Sequence, residues 1–135
     1  MKIVKASIIK SKIKRSGVEF VDTYLFDSKD LVNNLGHNIF LHPDEEVIMQ
    51  YQKEQIRWGL TNMRLILPNK LNQIVLEEIT GVDFEKIKNE ESTKFNNQTI
   101  DLHLRNGNRF TLNVEKGTWH LIFEIFKYII NYKTA

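Results

Sequence analysis

Short runs in which apolar and polar residues alternate follow one another from about Asp44 to Val114. A period of two predicts β-strands that have one buried face and one solvated face. The alternation is clear at 56–61, and turn residues at 61–62 and 68–70 divide this part of the chain into short segments. The pattern therefore predicts a meander of antiparallel strands.

The strongest local signal is a β-hairpin over residues 100–114. Two alternating runs flank the dipeptide Asn106-Gly107, which is typical of a type I′ turn. A further strand is predicted at about 79–87, and Gly81 within it indicates a bulge or a bend.

The period changes to that of a helix after Gly117, and Thr118 is the predicted N-cap. Apolar residues cover roughly 220° of this helix, whereas one packed face needs a stripe of only about 100°. Something besides the strands must therefore cover it. The flank that an interface would use carries four residues: Leu121, Ile125, Tyr128 and Tyr132.

The first 40 residues are the expected cover of this helix. Residues 2–14 remain open between strand and helix, because their apolar spacing fits neither period. Residues 18–26 have the composition of a strand, and Asp27-Ser28 can cap a short helix that ends at Gly36. We therefore divide the chain into an N-terminal extension, 1–40, and a main β-rich domain, 41–135.

The composition is that of an ordinary globular domain. The chain has 135 residues, of which 41% are hydrophobic and 27% are charged, enough for one core. The absence of cysteine excludes disulfides and thiolate metal sites and fits a reducing compartment. Neither a signal peptide nor a run of about 20 apolar residues is found. We expect a cytoplasmic protein that is at most peripheral to a membrane.

The charge is nearly balanced over the whole chain but not at its start. With 19 basic and 17 acidic residues the net charge is +2, which gives no support to a nucleic-acid partner. Six basic residues precede the first acidic one: Lys2, Lys5, Lys10, Lys12, Lys14 and Arg15. They form either a contact surface for anions or, as we favour, the solvated face of an amphipathic element.

Three segments resemble a known family. Residues 58–67, Trp-Gly-Leu-Thr-Asn-Met-Arg-Leu-Ile-Leu, resemble the LTNKRLIL strand-turn-strand signature of bacterial pleckstrin-homology-like (PH-like) and GRAM-like domains, with Met63 where lysine is common. Residues 43–47 resemble the entry into the first strand of these domains, and 79–84 resemble a later strand. The resemblance implies a mainly β, α+β fold: a PH-like barrel of about seven antiparallel strands closed by the C-terminal helix.

The resemblance also implies where an anion would bind. Phosphoinositide-binding members of the fold use basic residues around the first hairpin, which here correspond to Lys53 and Arg57. Arg64 or Lys70 would join them if the loops converge, whereas Glu54 would oppose binding. The alternative, which we favour, is that these are ordinary solvent-facing residues.

No pattern of catalytic residues is found. The sequence has no nucleophile placed beside a base and no glycine-rich phosphate loop. Adjacent acidic residues such as Glu77-Glu78 would point to opposite faces of a strand, so they could not share a proton. The spacing of His37 and His42 does not match a known metal site.

We therefore predict a binding module without catalytic residues, cofactor or metal. Its partner would be another protein or a second copy, bound through the C-terminal helix and an exposed strand edge. The alternative is a peripheral module that binds anionic lipid.

Overall fold

The structure, a computed structural model, describes residues 2–26, 41–54, 56–67, 73–84 and 99–132. The predicted short helix at 27–36 and Lys70 lie outside these residues. In chain order the described elements are α1 (Ala6–Ser16), β1 (Thr23–Leu25), β2 (Val47–Lys53), β3 (Ile56–Thr61), β4 (Arg64–Ile66), β5 (Gln73–Val75), β6 (Ile79–Phe84), β7 (Thr99–Leu104), β8 (Arg109–Asn113) and α2 (Trp119–Asn131).

The strands form two antiparallel sheets. The first has the order β1-β2-β3-β4-β5, and the second has the order β6-β7-β8. A short 3-10 turn, Leu76–Glu78, leads from one to the other. The mainly β fold with antiparallel sheets and a C-terminal helix is thus confirmed. The two sheets of the described residues are not closed into a barrel, so the predicted PH-like barrel is not confirmed.

Trp58 links the two sheets from within the core. Its side chain is buried, and its indole N–H donates a hydrogen bond of 2.6 Å to the carbonyl of Asn113 at the end of β8. Tyr51 lies opposite Trp58 on β2 and is also buried, while Phe110 on β8 is half-buried against the same core. These three aromatic residues thus belong to the core that the two sheets share.

The N-terminal segment is a helix, which settles the choice left open for residues 2–14. Helix α1 ends at Gly17, whose φ of 69° is the left-handed conformation common after helices. Ile9 and Ile13 of α1 are buried in one cluster with Leu121 and Ile125 of α2. The start of the chain therefore covers part of α2, as the wide apolar surface of that helix predicts. No helix of the described residues is long and apolar enough to cross a membrane.

The residues before α1 attach it at two further points. The Lys2 ammonium donates to the carbonyls of Ile129 at 3.0 Å and Ile130 at 3.4 Å. Carbonyls in the last turn of a helix have no partner within the helix, and a cation there also interacts favourably with the helix dipole. The amide of Val4 donates to the carbonyl of Asn62 at 2.9 Å. Lys2 and Val4 thus join α2 and the β3–β4 turn to the start of α1.

The β7–β8 hairpin is present, but its turn differs from the prediction. The amide of Gly107 donates to the carbonyl of Leu104, and the amide of Leu104 donates to the carbonyl of Asn108. Gly107 has a φ of 91°, whereas Asn106 does not have the positive φ that a type I′ turn requires. The connection is a three-residue loop that ends on a left-handed glycine. The bulge predicted at Gly81 is confirmed by a register shift between Ile79 and Gly81.

A buried carboxylate joins the entry of β2 to the β3–β4 turn. Glu45 accepts hydrogen bonds from the Thr61 hydroxyl at 2.6 Å and from Arg64 Nε at 2.8 Å and Nη2 at 3.1 Å. The guanidinium thus binds both carboxylate oxygens, and the amide of His42 donates to one of them at 3.1 Å. We call Glu45, Thr61 and Arg64 the polar lock. Such two-pronged, charge-assisted bonds are among the stronger side-chain contacts.

Asn62 extends this connection to α1. Its side-chain oxygen accepts the amide of Glu46 at 2.8 Å, and its amide group donates to the carbonyl of Asp44 at 3.1 Å. The carboxylate of Glu46 forms an ion pair with Lys10 of α1. The first sheet and the N-terminal helix are therefore positioned by one connected set of polar contacts.

We expect Glu45→Gln to lower the free energy of unfolding at neutral pH by about 3 kcal/mol, because it leaves Arg64 without its buried partner. Burial disfavours the charged carboxylate, yet the hydrogen bonds from Arg64, Thr61 and His42 outweigh it and lower the pKa of Glu45 below 4.5. The lock therefore contributes fully above pH 4.5 and is lost as the pH falls through the lowered pKa.

Urea unfolding of wild type and variant over a pH series tests this. The difference between them should shrink as the pH falls below 4.5. Asp44→Asn, at the exposed neighbouring residue, is the matched control and should change stability little. A difference that stays constant across the series would contradict the proposed role of the Glu45 charge.

Candidate functional site

The structure does not bring the predicted anion-binding residues together. Lys53 pairs with Ile56 across the β2–β3 hairpin, and Arg57 pairs with Gln52. Directly opposite residues share a face of a sheet, and consecutive residues alternate between faces. Lys53 and Arg57 therefore leave opposite faces of the hairpin.

Arg64 is occupied within the chain. It binds Glu45 in the polar lock, and its Nη1 donates to Gln73 on β5. Thr61, beside Arg64, is four residues along β3 from Arg57, a distance of about 13 Å at the rise of a strand. Among the described residues, then, Arg64 and Arg57 are well separated, and Lys53 and Arg57 face opposite ways, so the predicted set does not form one site.

The four predicted interface residues of α2 divide into two pairs. Leu121 and Ile125 are buried in the chain's own core, so they are not available to a partner. Tyr128 and Tyr132 are half-buried, with their ring centroids 5.7 Å apart. Burial raises the pKa of Tyr128, and the ammonium of Lys12 lies 5.6 Å from the centre of its ring. The flank of α2 that the sequence predicts as an interface therefore packs mainly against other parts of the same chain.

An exposed strand edge is present at β1, the outermost strand of the first sheet. The carbonyl of Asp22 accepts the amide of Gln52, and the amide of Phe26 donates to the carbonyl of Ile48. Because bonded and non-bonded positions alternate in an antiparallel pair, the peptide groups of Thr23 and Leu25 point away from β2. No other strand of the described residues lies beyond them.

Apolar side chains surround this edge. Val21 is 87% exposed, Tyr24 is 58% exposed and Leu25 is 36% exposed. The ring of Tyr24 meets that of Phe26 edge to face, with centroids 4.8 Å apart, and Phe26 itself is buried. Phe26 thus anchors a strand whose remaining apolar side chains face solvent.

Glu115 holds the start of β1 in place. Its carboxylate accepts the amides of Val21 and Asp22, both at 2.7 Å, and the hydroxyl of Thr23 at 2.9 Å. Glu115 is buried and lies two residues after the end of β8. This contact joins β1 to the second sheet, and no local pattern in the sequence indicates it.

The described residues contain no group of three or more histidine or carboxylate side chains that could hold a metal ion. Comparisons with known proteins find no match among family models, curated proteins or solved structures. The resemblance to PH-like domains therefore stays a prediction.

We expect Glu115→Gln to destabilise the protein by about 1 to 3 kcal/mol, because an amide group cannot accept all three donors and one stays buried without a partner. Hydrogen exchange should also accelerate at the amide of Tyr24, since β1 loses its attachment to the second sheet. Glu19→Gln removes the same charge from an exposed residue of the same region and serves as the control. Equal effects of the two substitutions in urea unfolding would contradict the anchoring role of Glu115.

Proposed function

We propose that this protein is a non-catalytic interaction module that self-associates by pairing β1 with β1 of a second copy. The observation that carries the proposal is the edge itself: the peptide groups of Thr23 and Leu25 point outward beside exposed Val21 and Tyr24. An unpaired edge of this kind is a template for a further strand.

The edge is complementary to itself. A twofold axis midway between the two Tyr24 residues sets Thr23 of one copy opposite Leu25 of the other, and each such pair exchanges N–H and C=O groups as in any antiparallel ladder. Tyr24 then faces Tyr24 of the second copy, and cross-strand aromatic pairs stabilise sheets by about 0.2 to 1 kcal/mol.

The side chains of β1 also lack the usual protection of an edge. Natural edge strands commonly carry lysine or proline, which oppose pairing with another chain. Residues 21–26 contain neither, and their one charged residue is Asp22. Because Glu115 and Phe26 hold this segment in an extended conformation, pairing costs little additional ordering of the chain.

The proposal includes the finer description of the fold as PH-like. It is supported by the order of elements, two antiparallel sheets followed by one helix, and by the contacts between the segments 43–47 and 58–67 that carry the resemblance. Binding of anionic lipid at Lys53 and Arg57 stays a prediction, since these two side chains leave opposite faces of the hairpin.

We expect the wild-type protein to sediment as a dimer that dissociates on dilution, and Leu25→Lys to raise the dissociation constant at least about tenfold. The substitution places two cations beside the twofold axis, where like charges oppose pairing. Ile8→Lys is the matched control, because Ile8 lies on α1 and has the same 36% exposure as Leu25. Sedimentation velocity over a wide range of concentration measures both.

A wild-type protein that stays monomeric at every concentration would overturn the proposal. So would a dimer that Ile8→Lys weakens as much as Leu25→Lys does, because the interface would then not be specific to β1. Thermal unfolding of each variant separates a loss of pairing from a loss of fold.

A further inference from the structure

A cleft of about 570 Å³ lies between the C-terminal end of α1 and the first turns of α2. Its volume falls within the range of roughly 300 to 1,000 Å³ typical of small-molecule sites. The polar residues that line it are Lys12, Arg15, Ser16, His120 and Glu124. None of them belongs to β1, so the cleft is separate from the edge proposed for self-association.

Two cations of this cleft have no acidic partner. Among the described residues, no carboxylate lies within 4.0 Å of Lys12 or Arg15, whereas Lys10 and Arg64 each form an ion pair. The Lys12 ammonium lies over the Tyr128 ring, a contact that holds the cation beside α2. Arg15 donates through Nε to a carbonyl of its own helix at 3.4 Å, which leaves the terminal nitrogens of its guanidinium for a ligand.

The residues of α2 complete the polar lining. His120 Nε2 lies 3.9 Å from the carboxylate of Glu124, one turn further along the helix. The one carboxylate of the cleft is therefore placed beside the imidazole, and the charges of Lys12 and Arg15 remain in excess. The cleft thus keeps a positive potential.

The first turn of α2 adds to this potential. Thr118 does not cap the helix with its side chain, because its hydroxyl donates to the carbonyl of Glu115 at 2.6 Å. The positive end of the helix dipole beside His120 and Gly117 therefore acts together with the two cations. By itself this helix end would indicate no site; the unpaired cations and the cleft do.

We propose that this cleft binds a phosphoryl group, that is, inorganic phosphate or a phosphate monoester. A guanidinium offers a planar fork of N–H donors and an ammonium offers a compact charge, and together they match the oxygens of a tetrahedral dianion. Lys12 and Arg15 bind the phosphoryl oxygens, and His120 donates a further hydrogen bond. The remaining volume accommodates the group that is esterified to the phosphate.

Titration of the full chain with inorganic phosphate, followed by amide NMR shifts at constant ionic strength in chloride, tests the proposal. We expect saturable shifts at Gly117 and His120. Combined Lys12→Gln and Arg15→Gln should weaken binding at least about tenfold. Lys14→Gln is the matched control: it removes the same charge from the same helix outside the cleft lining and should leave binding unchanged.

Vesicles of phosphatidylcholine with and without phosphatidic acid identify the source of the phosphoryl group. Co-sedimentation that requires phosphatidic acid and is lost in the double variant assigns the site to a lipid headgroup. Saturable phosphate shifts without co-sedimentation assign it to a soluble phosphate.

Shifts that grow linearly and equal those caused by chloride would overturn the proposal. A loss of binding in Lys14→Gln as large as that in the double variant would overturn it as well. If the double variant unfolds, Arg15→Gln alone decides between these results, because Arg15 is exposed and contributes no core packing.

Discussion

The carboxylate of Glu45 is the group on which the arrangement of the first sheet depends. A buried carboxylate is tolerated only when donors surround it, and the side chains that donate to Glu45 come from 16 and 19 residues further along the chain. Arg64 and Thr61 supply them from the β3–β4 turn, and the amide of His42 supplies one from the entry of β2. The meander cannot change its register there without leaving a charge buried and unpaired.

The same contacts explain why two of the segments that resemble PH-like domains, 43–47 and 58–67, belong together. The acidic entry at 43–47 provides Glu45, and the Thr-Asn-Met-Arg turn at 61–64 provides its donors, so each segment satisfies the other. The carbonyl of Asn62 accepts the amide of Val4 and so joins these segments to the start of α1. An arginine that looks available for a ligand in the sequence is thus a structural residue in the fold.

The sequence predicts the features that depend on local period and misses those that depend on distant partners. The β7–β8 hairpin and the C-terminal helix follow from alternation and helical spacing. The N-terminal helix does not, because its buried stripe has only three residues, Ala6, Ile9 and Ile13, and it is their packing in the shared core that selects the helical form. The anchoring role of Glu115 is a tertiary contact across more than 90 residues, which no local pattern can encode.

The basic N-terminus shows most directly how tertiary contacts assign roles that charge alone does not. Lys2 binds the carbonyls at the end of α2 and Lys10 pairs with Glu46, so these two cations stabilise the fold. Lys12 and Arg15 lie on the side of α1 that faces the cleft, and among the described residues neither has a carboxylate within 4.0 Å. The basic residues of the N-terminus therefore have two roles, which depend on the direction in which each side chain points. A cation that already pairs with a carboxylate gains less from an external anion, so Lys12 and Arg15, which have no such pair, are the two that can recognise a ligand.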